Sequence, residues 1–130
     1  MNDPFKTHGA FSWFELLTND VEEAKKFYTK LLGWETQEMS MSDDMKYNTI
    51  KAEGQDIGGI APMPPQVPGG TPPHWGTYIT VNDVDTVAKK AEELGGKILL
   101  PPMDVPEVGR FCHIQDPQGA VFAIITYAQQ

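Results

Sequence analysis

Apolar positions along this chain change period several times, and the whole pattern is laid down twice. Phe11 to Leu17 reads as a strand, and Val21, Ala24, Phe27 and Leu31 fall three to four residues apart, one stripe of a helix over 21–32. Asn19 or Asp20 supplies its N-cap, and Glu22 and Glu23 sit in the first turn, where the helix dipole favours anions. Trp34 to Met39, Met45 to Ala52 and Ile57 to Met63 read as three more strands, with a turn around Glu53-Gly54-Gln55. The first half is thus a βαβββ unit behind a short arm, residues 1–9. Pro62, Pro64, Pro65, Pro68, Gly69, Gly70, Pro72 and Pro73 follow, a run that neither a helix nor a central strand tolerates, and it reads as a linker.

The second half repeats the order. A strand over Gly76 to Val81 leads into a helix over Val84 to Leu94, with Val84, Val87, Ala88, Ala91 and Leu94 inward and a Gly95-Gly96 stop. Lys97 to Leu100, Arg110 to Gln115 and Val121 to Tyr127 read as strands, the last introduced by the tight turn Asp116-Pro117-Gln118-Gly119. Asn19-Asp20-Val21 matches Asn82-Asp83-Val84 and Ala-Lys-Lys occurs at 24–26 and 88–90, so the duplication has a spacing of 62 to 64 residues. Each βαβββ unit is too small to bury both faces of its sheet. The expected fold is α+β: one domain of two modules, about 10–63 and 74–128, with an eight-stranded, partly open sheet around a concave pocket.

Charge narrows the partners. A formal charge of -8 with only ten basic residues disfavours nucleic acid and anionic membrane. The single cysteine, Cys112, cannot form an internal disulfide, and it falls in a strand where a small buried thiol is the ordinary case. With no charged-then-apolar leader at the N-terminus and no long apolar run, the expected compartment is the cytoplasm. Nucleotide-binding, CxxC, HExxH and GxSxG patterns are absent from the sequence, so dinucleotide, nucleoside triphosphate, structural zinc and serine-hydrolase chemistry get no local support.

Ala24-Lys25-Lys26-Phe27-Tyr28 with Leu32-Gly33-Trp34, Val81-Asn82-Asp83-Val84-Asp85 with Leu94-Gly95-Gly96-Lys97, and Val108-Gly109-Arg110-Phe111 before Asp116-Pro117-Gln118-Gly119 form an ordered set. With them the chain resembles, over residues 10–127, the vicinal oxygen chelate superfamily of glyoxalase I, the bleomycin- and fosfomycin-resistance proteins and the extradiol dioxygenases. The second half is most similar to the branch labelled glyoxalase-like or hydroxylase-like. The resemblance implies a divalent metal held by one side chain from the first and one from the last strand of each unit. Carried over from the helix and turn landmarks, those places fall on Trp13, roughly Gly59, Gly76 and Ala123, none of which has a ligating side chain. No metal and no cofactor is therefore expected. It also implies that His113, three residues before the Asp116 turn, points into the pocket.

Glu15 is the oddest polar placement, a carboxylate in an otherwise apolar strand on the face of Trp13. A structural ion pair, an outward-facing side chain, and acid–base or anchoring work with His113 are all open to it. Glu15, His74 and His113 are candidates for a displaced metal site; His74 beside the linker can equally face solvent. Trp13, Tyr47, Trp75, Tyr78 and Phe111 are candidates for an aromatic pocket for a flat ligand, against ordinary sheet packing. Met39, Met41 and Met45 beside Asp43-Asp44 suggest a mobile hairpin, and Pro101-Pro102-Met103-Asp104-Val105-Pro106 a loop at the pocket rim or a protected sheet edge. The leading expectation is metal-independent binding of a small aromatic or carbonyl-containing molecule by a homodimer. The alternatives are a lyase, isomerase or dioxygenase-type enzyme, and a non-catalytic interaction protein.

Overall fold

A computed structural model of the chain describes residues 3–42, 45–63, 70–105 and 108–128. The tip of the first hairpin at Asp43-Asp44, most of the Pro-rich linker (64–69) and Pro106 lie outside them. Two compact units emerge, Met1–Ser12 together with Gly76–Gln130, and Trp13–Trp75. Among the described residues there are eight strands and two helices, and no helix is long and apolar enough to cross a membrane.

The first module runs β1 (Phe11–Thr18), α1 (Val21–Leu32), β2 (Glu35–Ser42), β3 (Met45–Ala52) and β4 (Gln55–Pro62). Its strands lie in the order β2-β3-β4-β1, with β1 and β4 parallel and the other pairs antiparallel. Asp20 is the N-cap of α1, accepting from the Glu23 amide at 3.1 Å, and Gly33 closes the helix in the left-handed region. Glu53 and Gly54 both have positive φ, 49° and 83°, the combination a two-residue hairpin turn between β3 and β4 requires.

Leu16, Ile50 and Ile60 form the buried centre of this module, with Val21, Ala24, Tyr28, Trp34 and Ile57 packed around them. The expected stripe is corrected here: α1 turns Tyr28 to the sheet, while Phe27 and Leu31 are 59% and 62% exposed. Position 28 lies seven residues beyond Val21, almost on the same line of the helix, whereas 27 and 31 fall to one side of it. Asn48, 2% exposed, brings an unpartnered Oδ1 into the module, a local cost of about 1–3 kcal/mol that the surrounding packing offsets.

The second module runs β5 (His74–Thr80), α2 (Val84–Glu93), β6 (Lys97–Val105), β7 (Gly109–Gln115) and β8 (Val121–Tyr127), in the order β5-β8-β7-β6. The pairing repeats that of the first, with β5 and β8 parallel and the rest antiparallel. Val81, Val84, Ala88, Cys112, Ile114 and Ile124 are its buried core. Leu94, expected inward, is instead the exposed C-cap of α2, 69% accessible, because the helix ends one residue before it. The Pro101–Val105 stretch is not a rim loop. It extends β6, an edge strand in which prolines cost no interior ladder bond, with register shifts at Ile98/Leu100 and Leu100/Met103. The Asp116 turn forms as expected: its Oδ1 accepts from the Gln118 and Ala120 amides at 2.9 and 3.0 Å, and Gly119 has φ +103°.

Candidate functional site

Each sheet has one face under its helix and one face turned away from it. In the first module the far face carries a row in register: Glu15 on β1 beside Gly59 on β4, and Gly59 beside Thr49 on β3. In the second the row is Tyr78 on β5, Ala123 on β8 and His113 on β7. The two rows are equivalent, so β-sheet register maps Glu15 onto Tyr78, Gly59 onto Ala123 and Thr49 onto His113. One position along, Tyr47 lies beside Met39, as Phe111 lies beside Met103.

On the second module Tyr78, Phe111 and His113 form one cluster. Ring centroids are 6.3 Å apart for Tyr78–Phe111, 6.0 Å for Tyr78–His113 and 5.6 Å for Phe111–His113, and the Tyr78 hydroxyl stands 3.5 Å from His113 Nε2. Tyr78 is buried, while Phe111 and His113 are half-buried, so part of the cluster is open to a ligand. Edge-to-face rings of this kind present both a flat apolar wall and polar atoms at its margin.

On the first module Trp13 donates its indole Nε1–H to the Tyr47 hydroxyl at 2.9 Å, and the Tyr47 phenol lies over Gly59. Glu15 is buried, which rules out the outward-facing reading. Thr49 donates its hydroxyl to Met39 Sδ at 3.3 Å. Thr49 is the row member that sequence reading missed. A residue-by-residue use of the 64-residue repeat points from His113 directly to it.

Two of the candidates stand apart from these rows. Trp75 belongs to a separate aromatic cluster, T-shaped against Tyr28 and Trp34 with its Nε1–H donated to Tyr28 Oη at 3.2 Å, because its place on β5 is the opposite face from Tyr78. His74 is tied to the Pro72 carbonyl through Nδ1 at 2.9 Å. Among the described residues no three His, Cys, Asp or Glu are grouped so as to hold a metal ion. The donor chemistry at the four landmark places does not suit the family's metal either. Trp13 donates to Tyr47, Gly59 and Gly76 have no side chain, and Ala123 has only a methyl. Register also sets Glu15, not Trp13, beside Gly59.

An open groove of about 450 Å³ lies elsewhere on the second module, along Asp83, Asp85, Asp104, Arg110 and Thr126. Arg110 is forked onto Asp85 at 2.8 and 3.0 Å and reaches Asp104 at 3.2 Å. The hydrogen bonds from Arg110 hold the Asp85 carboxyl below its ordinary range, and the two carboxylates raise the guanidinium in turn. This is a satisfied ion-pair network joining α2, β6 and β7, and it contains none of the candidates. Cys112 is fully buried, and burial pushes its thiol up to about 11, so it is inert as a nucleophile near neutrality.

The family model of the Glyoxalase/Bleomycin resistance protein/Dioxygenase superfamily matches residues 10–124. The chain belongs to that superfamily. "Putative glyoxylase CFP32" of Mycobacterium tuberculosis is 40% identical over 117 residues, 89% of this chain and 45% of that protein. "Anthracycline biosynthesis protein DauV" of a Streptomyces species is 35% identical over 127 residues, 89% of this chain and 46% of that protein. The chain thus spans about half the length of these curated relatives. Among solved structures, methylmalonyl-CoA epimerase from Mycobacterium tuberculosis superposes with a TM-score of 0.65 at 16% identity, covering 95% of this chain and 92% of that one. The Mn(II)-bound glyoxalase from Novosphingobium aromaticivorans gives 0.58 at 16% identity, over 91% of this chain and 39% of that one. At such identities these likenesses concern the fold alone.

Proposed function

We propose that this superfamily member binds a small aromatic or carbonyl-containing molecule on the helix-free faces of its sheets, without the metal its relatives use. The Tyr78–Phe111–His113 cluster carries the reading. It is a half-open aromatic wall with an imidazole and a phenol at its margin, placed in register with Ala123, where the family would otherwise keep a metal ligand. Phe111 supplies the apolar contact, and His113 and Tyr78 orient a ligand oxygen. On the first module Trp13 and Tyr47 are the aromatic contacts and Glu15 a polar anchor. The anthracycline biosynthesis relatives make a hydroxylated anthraquinone the first probe, since it is flat, aromatic and rich in carbonyl oxygens.

A homodimer located in the cytoplasm, with no nucleic-acid or membrane partner, completes the proposal. Its supports are the acidic charge and the prevalence of isologous dimers among soluble proteins. Native mass spectrometry of gently purified protein tests it in one spectrum. The expected result is a dimer with a co-purified organic adduct and no stoichiometric transition metal. Near-stoichiometric zinc, nickel, manganese or iron that Glu15→Ala or His113→Ala abolishes would replace this reading with that of a metal-dependent enzyme.

A further inference from the structure

We infer that the arm ahead of β1, residues 3–10, is one wall of the ligand site, and that Phe5 is the contact through which the site favours three fused rings over two. The inference rests on the small-molecule reading above and adds the direction in which the ligand lies, along β8 toward the arm. The groups that carry it belong to one compact unit, Met1–Ser12 with Gly76–Gln130.

The arm is folded on itself. The Asp3 carbonyl accepts from the Lys6 amide at 3.0 Å and the Thr7 hydroxyl at 2.8 Å, and its Oδ1 accepts from the Phe5 amide at 3.0 Å. A second turn follows, with the Ala10 amide donating to the Thr7 carbonyl at 3.1 Å. These local bonds hold Phe5 in a fixed relation to the residues that dock.

The docking points lie on the helix-free face of the second module. Strand alternation from Tyr78 puts Thr80 on that face, and alternation from Ala123 puts Ile125 and Tyr127 there. The buried Thr80 donates its hydroxyl to the Pro4 carbonyl at 2.7 Å, while its backbone bonds Gly9 and Ala10 at 2.7 and 2.8 Å. The Asn82 amide donates to His8 Nδ1 at 2.9 Å. Phe5 meets Tyr127 edge to face, with ring centroids 5.0 Å apart, and the Ser12 and Tyr127 hydroxyls are 2.7 Å apart. The arm is therefore built onto the face that carries the aromatic wall.

Register gives its distance from that wall. Phe111 stands opposite Ile125, and Tyr127 is two residues further on, roughly 7 Å along β8 on the same face. The Phe5 ring is 39% exposed, so it keeps surface open at that end. A ligand stacked on Phe111 has two ways to extend. Across the strands it meets Met103, the partner of Phe111 on β6, and along β8 it meets the Tyr127–Phe5 pair. Met103 offers a flexible thioether, whereas the pair offers an aromatic edge already held in place, which suits a flat fused-ring molecule better. A third ring carries the ligand over the gap, and two rings stop short of it.

The test titrates a hydroxylated anthraquinone and a hydroxylated naphthoquinone into wild-type, Phe5→Ala and Met103→Ala protein. Phe5→Ala should weaken anthraquinone binding about three- to tenfold and leave the naphthoquinone within about twofold. Met103→Ala should leave both within about twofold. Cross-relaxation between the bound anthraquinone and the Phe5 ring protons of the wild-type is the second readout, independent of how well either variant folds, and is expected to be strong. An anthraquinone affinity unchanged in Phe5→Ala, a loss shared equally by both probes, or cross-relaxation to Met103 and none to Phe5 overturns the inference while leaving the small-molecule reading intact. Failure of the wild-type to bind either probe overturns both.

Discussion

Replacing Ile60 by Ala is expected to cost about 3 kcal/mol of folding stability, the largest effect of any single truncation in the first module. Ile60 has no exposed surface and is paired with Leu16 on β1 and Asn48 on β3, in the strand that joins them. Truncation removes buried methyl and methylene groups and leaves a cavity that β1 and β3, each held by its own ladder, cannot collapse to fill. A domain of this size has a total stability of roughly 5–15 kcal/mol, so the variant should still fold at low temperature with a much lower midpoint. Urea unfolding checks it: the midpoint should fall with the slope unchanged. An unchanged midpoint would mean that the helix-side core is packed differently.

Phe111→Ala is expected to weaken binding of a hydroxylated anthraquinone by about ten- to a hundredfold, while moving stability far less than Ile60→Ala. Phe111 is half-buried and lies on the helix-free face, outside the cluster that α2 covers. Its ring is the wall against which a flat ligand would stack, and its loss also frees His113 and Tyr78 to rearrange. Fluorescence titration of wild-type and variant at matched folded fraction measures the difference. Equal affinities would show that the ligand does not use this face.

Most of the fold was legible because it rests on local rules used twice. The Asn-Asp-Val helix starts became the capped N-termini at Asp20 and Asp83, and the Asp116 turn closed through its own carboxylate. What the sequence left unreadable was set by tertiary context. The choice of Tyr28 over Phe27 and Leu31 on α1 depends on where the sheet meets the helix, and periodicity alone cannot rank residues at the edge of a wide apolar arc. Trp75 looked like a pocket residue by composition, but strand alternation sends it to Tyr28 and Trp34. Pro101 and Pro102 read as loop because prolines rarely enter strands, and only an edge position explains their place in β6.

For the candidate site, the repeat was the decisive signal and was used too coarsely. The family resemblance put the landmark places at Trp13, roughly Gly59, Gly76 and Ala123, yet only register shows that Glu15 and Tyr78 are the first-strand neighbours of Gly59 and Ala123. The proximity of Tyr78 to His113, and of Tyr47 to Trp13, joins residues 35 and 34 positions apart and has no local signature in the chain.

Metal-independent ligand binding is the central claim, and a titration in chelator tests it most directly. Protein dialysed against EDTA is titrated with the hydroxylated anthraquinone, then again after adding zinc, nickel, manganese or iron(II). The donor set predicts the same affinity in every arm, lowered by Phe111→Ala and by His113→Ala. Binding that is absent in EDTA, returns with one of these metals, and is lost again in Glu15→Ala or His113→Ala would contradict it.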